Sequence, residues 1–196
     1  PMKRLFFGLG VDPAVGDRVV RSVHHTLDGE GEFAVYAAED LHVTLVFLGA
    51  VDEAQVPEIV RTATQEFRAL AAPELRLGGC ADAFPSRDRP RALFAGVRES
   101  METSGRLDVL RNRALQVGLS HGWRPSREER SRAYRPHVTV ARPRNGSRVP
   151  EEFWDLDAER RWVPVDVVLY ESLAQREGEE PRYRVLASWP LAVQPG

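Results

Sequence analysis

Apolar positions along the chain alternate between two spacings, and the changes of spacing divide it into short strands and amphipathic helices. Residues 3–9, KRLFFGL, form an apolar run suited to a buried strand, ended by Gly10 and Pro13. Asp12 offers an N-cap with Pro13 at the first helical position, and Val15, Val19, Val20, Val23 and Leu27 then recur near helical spacing towards Gly29. Residues 41–49, LHVTLVFLG, read as a second strand. Residues 55–70 carry Val56, Ile59, Val60, Ala63 and Phe67 at three- and four-residue steps, which predicts a helix with Pro57 in its first turn. Strands are predicted over 75–77 and 92–97, on either side of the loop FPSRDRP. Residues 104–119 give the clearest helix, with Leu107, Leu110, Leu115 and Leu119 on one face. RPSREERSRAYRP is polar and proline-bounded, so a loop is expected there. Strands over 137–141, 163–173 and 183–189 complete the set, the last two joined by QREGEEPRY as a hairpin turn. Several neighbouring strands are linked by hairpin-length loops, which points to an α+β fold with mostly antiparallel sheets.

The second strand interrupts its apolar run with a histidine. A lone histidine in a strand is ordinarily a core residue satisfied by a backbone carbonyl. Here, however, HVTLVFLG at His42 has a partner in HVTVARP at His137, close to half the chain later. Strand alternation sets His42 and Thr44 on one face and Val43, Leu45 and Phe47 on the other; His137 and Thr139 stand likewise against Val138 and Val140. If the two halves pack about an approximate two-fold, two imidazoles and two hydroxyls converge on one groove.

Two imidazoles can divide acid and base duties near neutral pH, and two hydroxyls can each donate to a non-bridging oxygen of a tetrahedral anion. In-line displacement at phosphorus needs a base on the attacking oxygen and an acid on the leaving oxygen, on opposite sides. A metal site is the rival reading. Two histidines are too few for a typical zinc site, Asp40 is the one carboxylate on a matching strand face, and no His-Glu-x-x-His appears. No metal or nucleotide cofactor is therefore expected.

Charge and composition narrow the setting. A net charge of −2 does not advertise a nucleic-acid binder, yet arginines cluster at Arg87, Arg89 and Arg91 and again from Arg124 to Arg144, so a local basic surface is expected. The single cysteine, Cys80, excludes an intramolecular disulfide and reads as a buried inert thiol. No apolar stretch approaches a membrane span and no signal-peptide pattern opens the chain, so a cytoplasmic protein is expected, with Pro1 before Met2 read as a cloning remnant.

Taken in order, RLFFGL, EDLHVTLVFLG, FPSRDRPRALFAGV, RAYRPHVTVAR and VVLYES resemble the two-histidine (2H) phosphoesterases, specifically the RNA 2′,3′-cyclic phosphodiesterases also called 2′-5′ RNA ligases. The resemblance implies one domain over 2–196 made of two intertwined, pseudo-symmetric lobes. Each lobe would be an antiparallel β-sheet with packed helices, and a cleft would lie between them. It implies catalytic roles for His42 and His137, phosphate binding by Thr44, Thr139 and Arg132, and substrate contacts from Tyr134 and Arg135. Arg142 is read as a surface position near the cleft. The implied reaction is metal-independent hydrolysis of an RNA-terminal 2′,3′-cyclic phosphate to a 2′-phosphate. His42 would be the acid on the departing 3′-oxygen and His137 the base on water; 2′-5′ ligation would be the same chemistry reversed. The alternatives are a phosphodiesterase for small cyclic nucleotides or ADP-ribose cyclic phosphate, and a non-catalytic RNA-end binding module. The expected partners are RNA ends or nucleotide cyclic phosphates, with no membrane and no obligate protein partner.

Overall fold

The first apolar run forms a strand, β1 (Met2–Gly10), and its alternate residues Leu5, Phe7 and Leu9 are fully buried. The computed structural model describes residues 1–27, 32–144, 146–156, 160–173 and 181–193, without the side chains of 78–80. Cys80 and most of the QREGEEPRY turn thus lie outside the described residues. After β1 come α1 (Pro13–Thr26), β2 (Phe33–Val35), β3 (His42–Asp52) and α2 (Val56–Glu66). They are followed by β4 (Leu75–Phe84), β5 (Ala92–Glu99), α3 (Arg106–Ser120) and α4 (Arg127–Ser131). The chain then runs through β6 (His137–Pro143), α5 (Glu151–Trp154), β7 (Arg160–Trp162), β8 (Asp166–Ser172) and β9 (Tyr183–Pro190).

The Asp12 carboxylate accepts from the backbone N–H groups of Ala14 and Val15, so it caps α1 as its position predicts. The segment read as a loop contains the short helix α4. Ser126 and Glu129 form a reciprocal capping box there, an S-x-x-E signal that the high polarity of the stretch obscured. β2, α5 and β7 are three or four residues long, too short to display a period. No described helix is long and apolar enough to cross a membrane.

All the strand pairs are antiparallel, and the described strands form one sheet in the order β7-β4-β5-β6-β3-β1-β8-β9, with β2 added to β6. The fold is α+β and antiparallel, as expected. The two lobe sheets are not separate, however, because β3 and β6 join them at the centre. That junction is one residue pair, Val43 with Val138. Beyond it the strands part, and β2 takes the free edge of β6 from Ala141 to Pro143.

The helices exchange sides. α1 follows β1 yet packs on β6 and β7, while α3 follows β5 and packs on β3. Val19 and Val23 of α1, Ile59 and Ala63 of α2, and Leu107, Leu110 and Val117 of α3 are buried in the core beneath the sheet. Each large apolar side chain so buried contributes about 1.5–3 kcal/mol. The opposite sheet face is left to carry the site.

Simple alternation fails in β3. Register shifts against β1 leave Leu45 and Leu48 as the extra residues, so the face changes at each. Val43 and Leu45 are buried as expected, but Phe47 is 38% exposed and Val46 takes the core position instead. The expectation that Phe47 anchors the core is thereby corrected: it faces the cleft, with the Arg4 guanidinium 5.3 Å from its ring centroid.

Gly8 sits beside this irregularity, paired with Thr44. A Cβ there would lie 2.9 Å from the Val43 carbonyl oxygen and 3.3 Å from the Tyr170 ring. Backbone cannot yield as a side chain can, so Gly8→Ala is expected to destabilise by about 1–3 kcal/mol and to shift β3 between His42 and Thr44. Thermal unfolding and kcat/KM measured together check this; wild-type values of both would contradict the close approach.

Candidate active site

His42 and His137 occupy matching places on the two central strands. With Val43 opposite Val138, continuing the antiparallel register by one residue sets His42 towards Thr139 and Thr44 towards His137. Val43 and Val138 are fully buried on the core side, whereas the four flanking polar residues are half-buried on the other. On the outer neighbours, Gly10 is paired with His42 and Gly96 with His137. Each imidazole thus has a cross-strand partner without a side chain, and this leaves the ring room over the sheet.

The histidines share one anchor. His42 Nδ1 lies 2.8 Å from the Asp40 carbonyl oxygen, and His137 Nδ1 lies 2.8 Å from that of Arg135. A carbonyl only accepts, so Nδ1 carries the proton in both rings and, when neutral, Nε2 keeps its lone pair. The two surroundings differ. His42 is held by Phe6 and Tyr183, both with centroids 4.8 Å away, and by Tyr170 at 5.5 Å. His137 meets Phe84 at 4.9 Å and Phe94 at 5.0 Å.

Burial in this cage pushes His42 down to about 4, against the opposing pull of the Asp40 carbonyl, with repulsion from His137 adding to the fall. His137 is also lowered, by burial first and by the Arg135 charge, again against its carbonyl bond. Both rings are therefore predominantly neutral at pH 7 in the free protein.

A cleft of about 700 Å³ opens beside His137; its walls include Thr44, His137, Phe47, Phe84, Arg132 and Arg135, whereas His42 and Thr139 are not among its lining residues. Arg132 is largely exposed and paired with Glu128 one turn earlier on α4. Arg135 reaches Asp82 at 2.7 Å and lies over the Phe94 ring. Partial burial raises the Asp82 carboxyl, but hydrogen bonds from Arg135, the Ala83 N–H and Arg87 hold it below its ordinary value. Tyr134 also lines the cleft, but its hydroxyl donates to the Thr44 carbonyl at 2.8 Å and Arg111 covers its ring at 4.4 Å. Its hydroxyl is thus engaged in fixing β3.

The sequence singled out none of the ring aromatics Phe6, Phe84, Phe94, Tyr170 and Tyr183. Their signal lay in strand pairing: Phe94 is the β5 partner of Thr139, and Phe6 is the β1 partner of Tyr170. Trp154, Trp162 and Trp189 are buried, and His24 and His25 are exposed on α1 away from the site. Among the described residues no group of three or more His, Cys, Asp or Glu side chains is arranged to hold a metal ion.

The chain matches the sequence profile of the 2′-5′ RNA ligase superfamily over residues 12–176, a span that includes both His-x-Thr motifs. It belongs to that superfamily. Among relatives of this 2H phosphoesterase, the RNA 2′,3′-cyclic phosphodiesterase of Aeropyrum pernix is 32% identical over 155 residues, 76% of this chain and 80% of the relative. The protein of the same name from Geobacillus stearothermophilus is 32% identical over 161 residues, 80% of this chain but 47% of the relative. The chain thus spans about half the length of that larger protein. A Thermus thermophilus structure superposes with a TM-score of 0.74 at 24% identity, covering 97% of this chain and 99% of the other. Escherichia coli LigT complexed with 3′-AMP gives 0.71 at 22%, with the same coverage. At these identities the two structures establish the superfamily fold alone.

Proposed function

We propose that this protein hydrolyses an RNA-terminal 2′,3′-cyclic phosphate to a 2′-phosphate, with His42 and His137 dividing the proton transfers. The observation that carries the reading is the pair of Nδ1-anchored imidazoles on adjacent strands, each beside a threonine on the sheet face away from the core, with His137 and Thr44 lining the cleft. Kinship to proteins named RNA 2′,3′-cyclic phosphodiesterase supports the choice of substrate.

In this scheme His137 Nε2 takes a proton from water as its oxygen bonds to phosphorus. The phosphorus–O3′ bond breaks, and His42 delivers a proton to the departing 3′-oxygen. Thr44, Thr139 and Arg132 hold the non-bridging oxygens, and Arg132 must then exchange its contact with Glu128 for phosphate. The acid needs a proton that burial denies it in the empty site, and the phosphate anion supplies the opposite charge that raises its pKa. One proton is accordingly taken up with substrate. With a 5′-hydroxyl in place of water as the nucleophile, the same groups would perform 2′-5′ ligation. The residues act as one domain of two lobes, and an RNA-end substrate supports a cytoplasmic site of action.

The test is incubation with an oligonucleotide ending in a 2′,3′-cyclic phosphate, in the presence of a chelator, followed by identification of the product. Conversion to the 2′-phosphate is expected. Binding without conversion would favour an RNA-end binding module, and faster turnover of a mononucleoside cyclic phosphate would favour a small-nucleotide enzyme.

A further inference from the structure

On the far side of Tyr183 from His42 lies a second cavity of about 220 Å³, lined by Tyr36, Arg142, Ser172, Leu173, Arg182 and Tyr183. Its charge is one-sided. Two guanidiniums face it, and among the described residues no lining residue is acidic and no carboxylate pairs with Arg142 or Arg182.

The lining is also held in place. Arg142 Nε donates to the Tyr36 hydroxyl at 2.7 Å, and the Tyr36 and Tyr183 hydroxyls lie close enough to influence one another. Arg182 stacks over the Tyr36 ring at 4.2 Å, and its Nε is buried without a hydrogen-bond partner among the described residues. An unpaired buried guanidinium N–H is costly unless an anion arrives to accept from it.

Tyr183 links the two sites, since its ring meets the His42 ring edge-on at 4.8 Å while its hydroxyl faces the second cavity. The volume falls short of the roughly 300–1,000 Å³ of a pocket that encloses a whole small-molecule ligand. It suits a single phosphate group.

From this geometry we infer that Arg142 and Arg182, set by Tyr36 and Tyr183, form a second anion subsite for the phosphodiester that joins the terminal nucleotide of the substrate to the next one. The inference rests on the proposed RNA-end activity and extends it. A mononucleoside 2′,3′-cyclic phosphate has no such group, so the subsite makes the enzyme selective for RNA ends over free cyclic nucleotides. Arg142 and Arg182 are then specificity-determining residues outside the His-x-Thr set.

The experiment compares two dinucleotides ending in a 2′,3′-cyclic phosphate, one with a natural internal phosphodiester and one with a neutral methylphosphonate. Hydrogen bonds to a charged group are worth roughly tenfold or more, so wild-type kcat/KM should favour the charged linkage by about that factor. Arg142→Met and Arg182→Met keep the apolar stem and remove the charge, and should bring the ratio near one; Arg182→Lys should retain part of it. A wild-type ratio near one overturns the inference, as does an unchanged ratio in both methionine variants. The ratio is internal to each variant, so a partial loss of folded protein does not alter it.

If the wild type turns over neither dinucleotide, the proposed activity fails. The subsite is then judged by calorimetric binding of the same pair. Tighter binding of the charged linkage, lost in the methionine variants, upholds it, and equal binding overturns it.

Discussion

His42→Ala and His137→Ala are each expected to lower kcat/KM by about 10²–10⁴-fold, the usual worth of a positioned acid or base. The proposed mechanism gives each imidazole one proton transfer, and the opposite ring cannot take over because it lies on the other side of phosphorus. The two should also behave as a unit. Once one transfer is lost the other has little left to accelerate, so the double variant should fall little below the poorer single one. His42 fills an aromatic cage, and alanine leaves a void there. Thermal unfolding of the variants separates that packing loss from the catalytic one, and His42→Gln keeps more of the volume. Near-wild-type kcat/KM in a folded single variant would sink the mechanism.

Acidification from pH 7 to 4 is expected to cost the protein about 3 kcal/mol through His42, by conversion of its displacement from 6.5 to about 4. The sign follows from which state binds the proton. Between those values the unfolded chain takes up a proton that the folded site refuses, so stability is full above about 6.5 and drains away as pH falls towards 4. His137, also lowered by burial, acts in the same direction. Unfolding midpoints at pH 7 and 4.5 should therefore converge in His42→Gln relative to wild type; an equal acid loss in both would show that His42 is not the group responsible. The same displacement appears in the rate. A productive free enzyme has one ring protonated and the other neutral, so kcat/KM is bell-shaped with both limbs at or below the ordinary histidine range. It should fall about tenfold per pH unit above roughly 6.5. A flat profile from pH 5 to 9 contradicts two-histidine chemistry.

The parts of this protein legible in its sequence are those that depend on near neighbours along the chain. Short runs of apolar and β-branched residues marked β1, β3 and β6, and a period near 3.6 marked α1, α2 and α3. The repeat of His-x-Thr within two strand patterns singled out His42, Thr44, His137 and Thr139 before any fold was in view. Asp12 and Pro13 announced the start of α1, because capping is settled within one helical turn.

Tertiary pairing decided the rest. Phe47 faces the cleft because of two irregularities against β1, and such a shift arises between strands rather than within either one. Gly10 and Gly96 matter through the histidines opposite them, and nothing local distinguishes them from turn glycines. The cage around His42 gathers rings from β1, β8 and β9, and that cage drives its pKa to about 4. Arg142 and Arg182 stand 40 positions apart within arginine-rich stretches, and only β6 and β9 bring them to one cavity. Sequence alone thus determined the main strands and helices and the pairing of a histidine with a threonine on one face of β3 and of β6. The fold alone determined which strands stand side by side, and so how strongly each imidazole holds its proton.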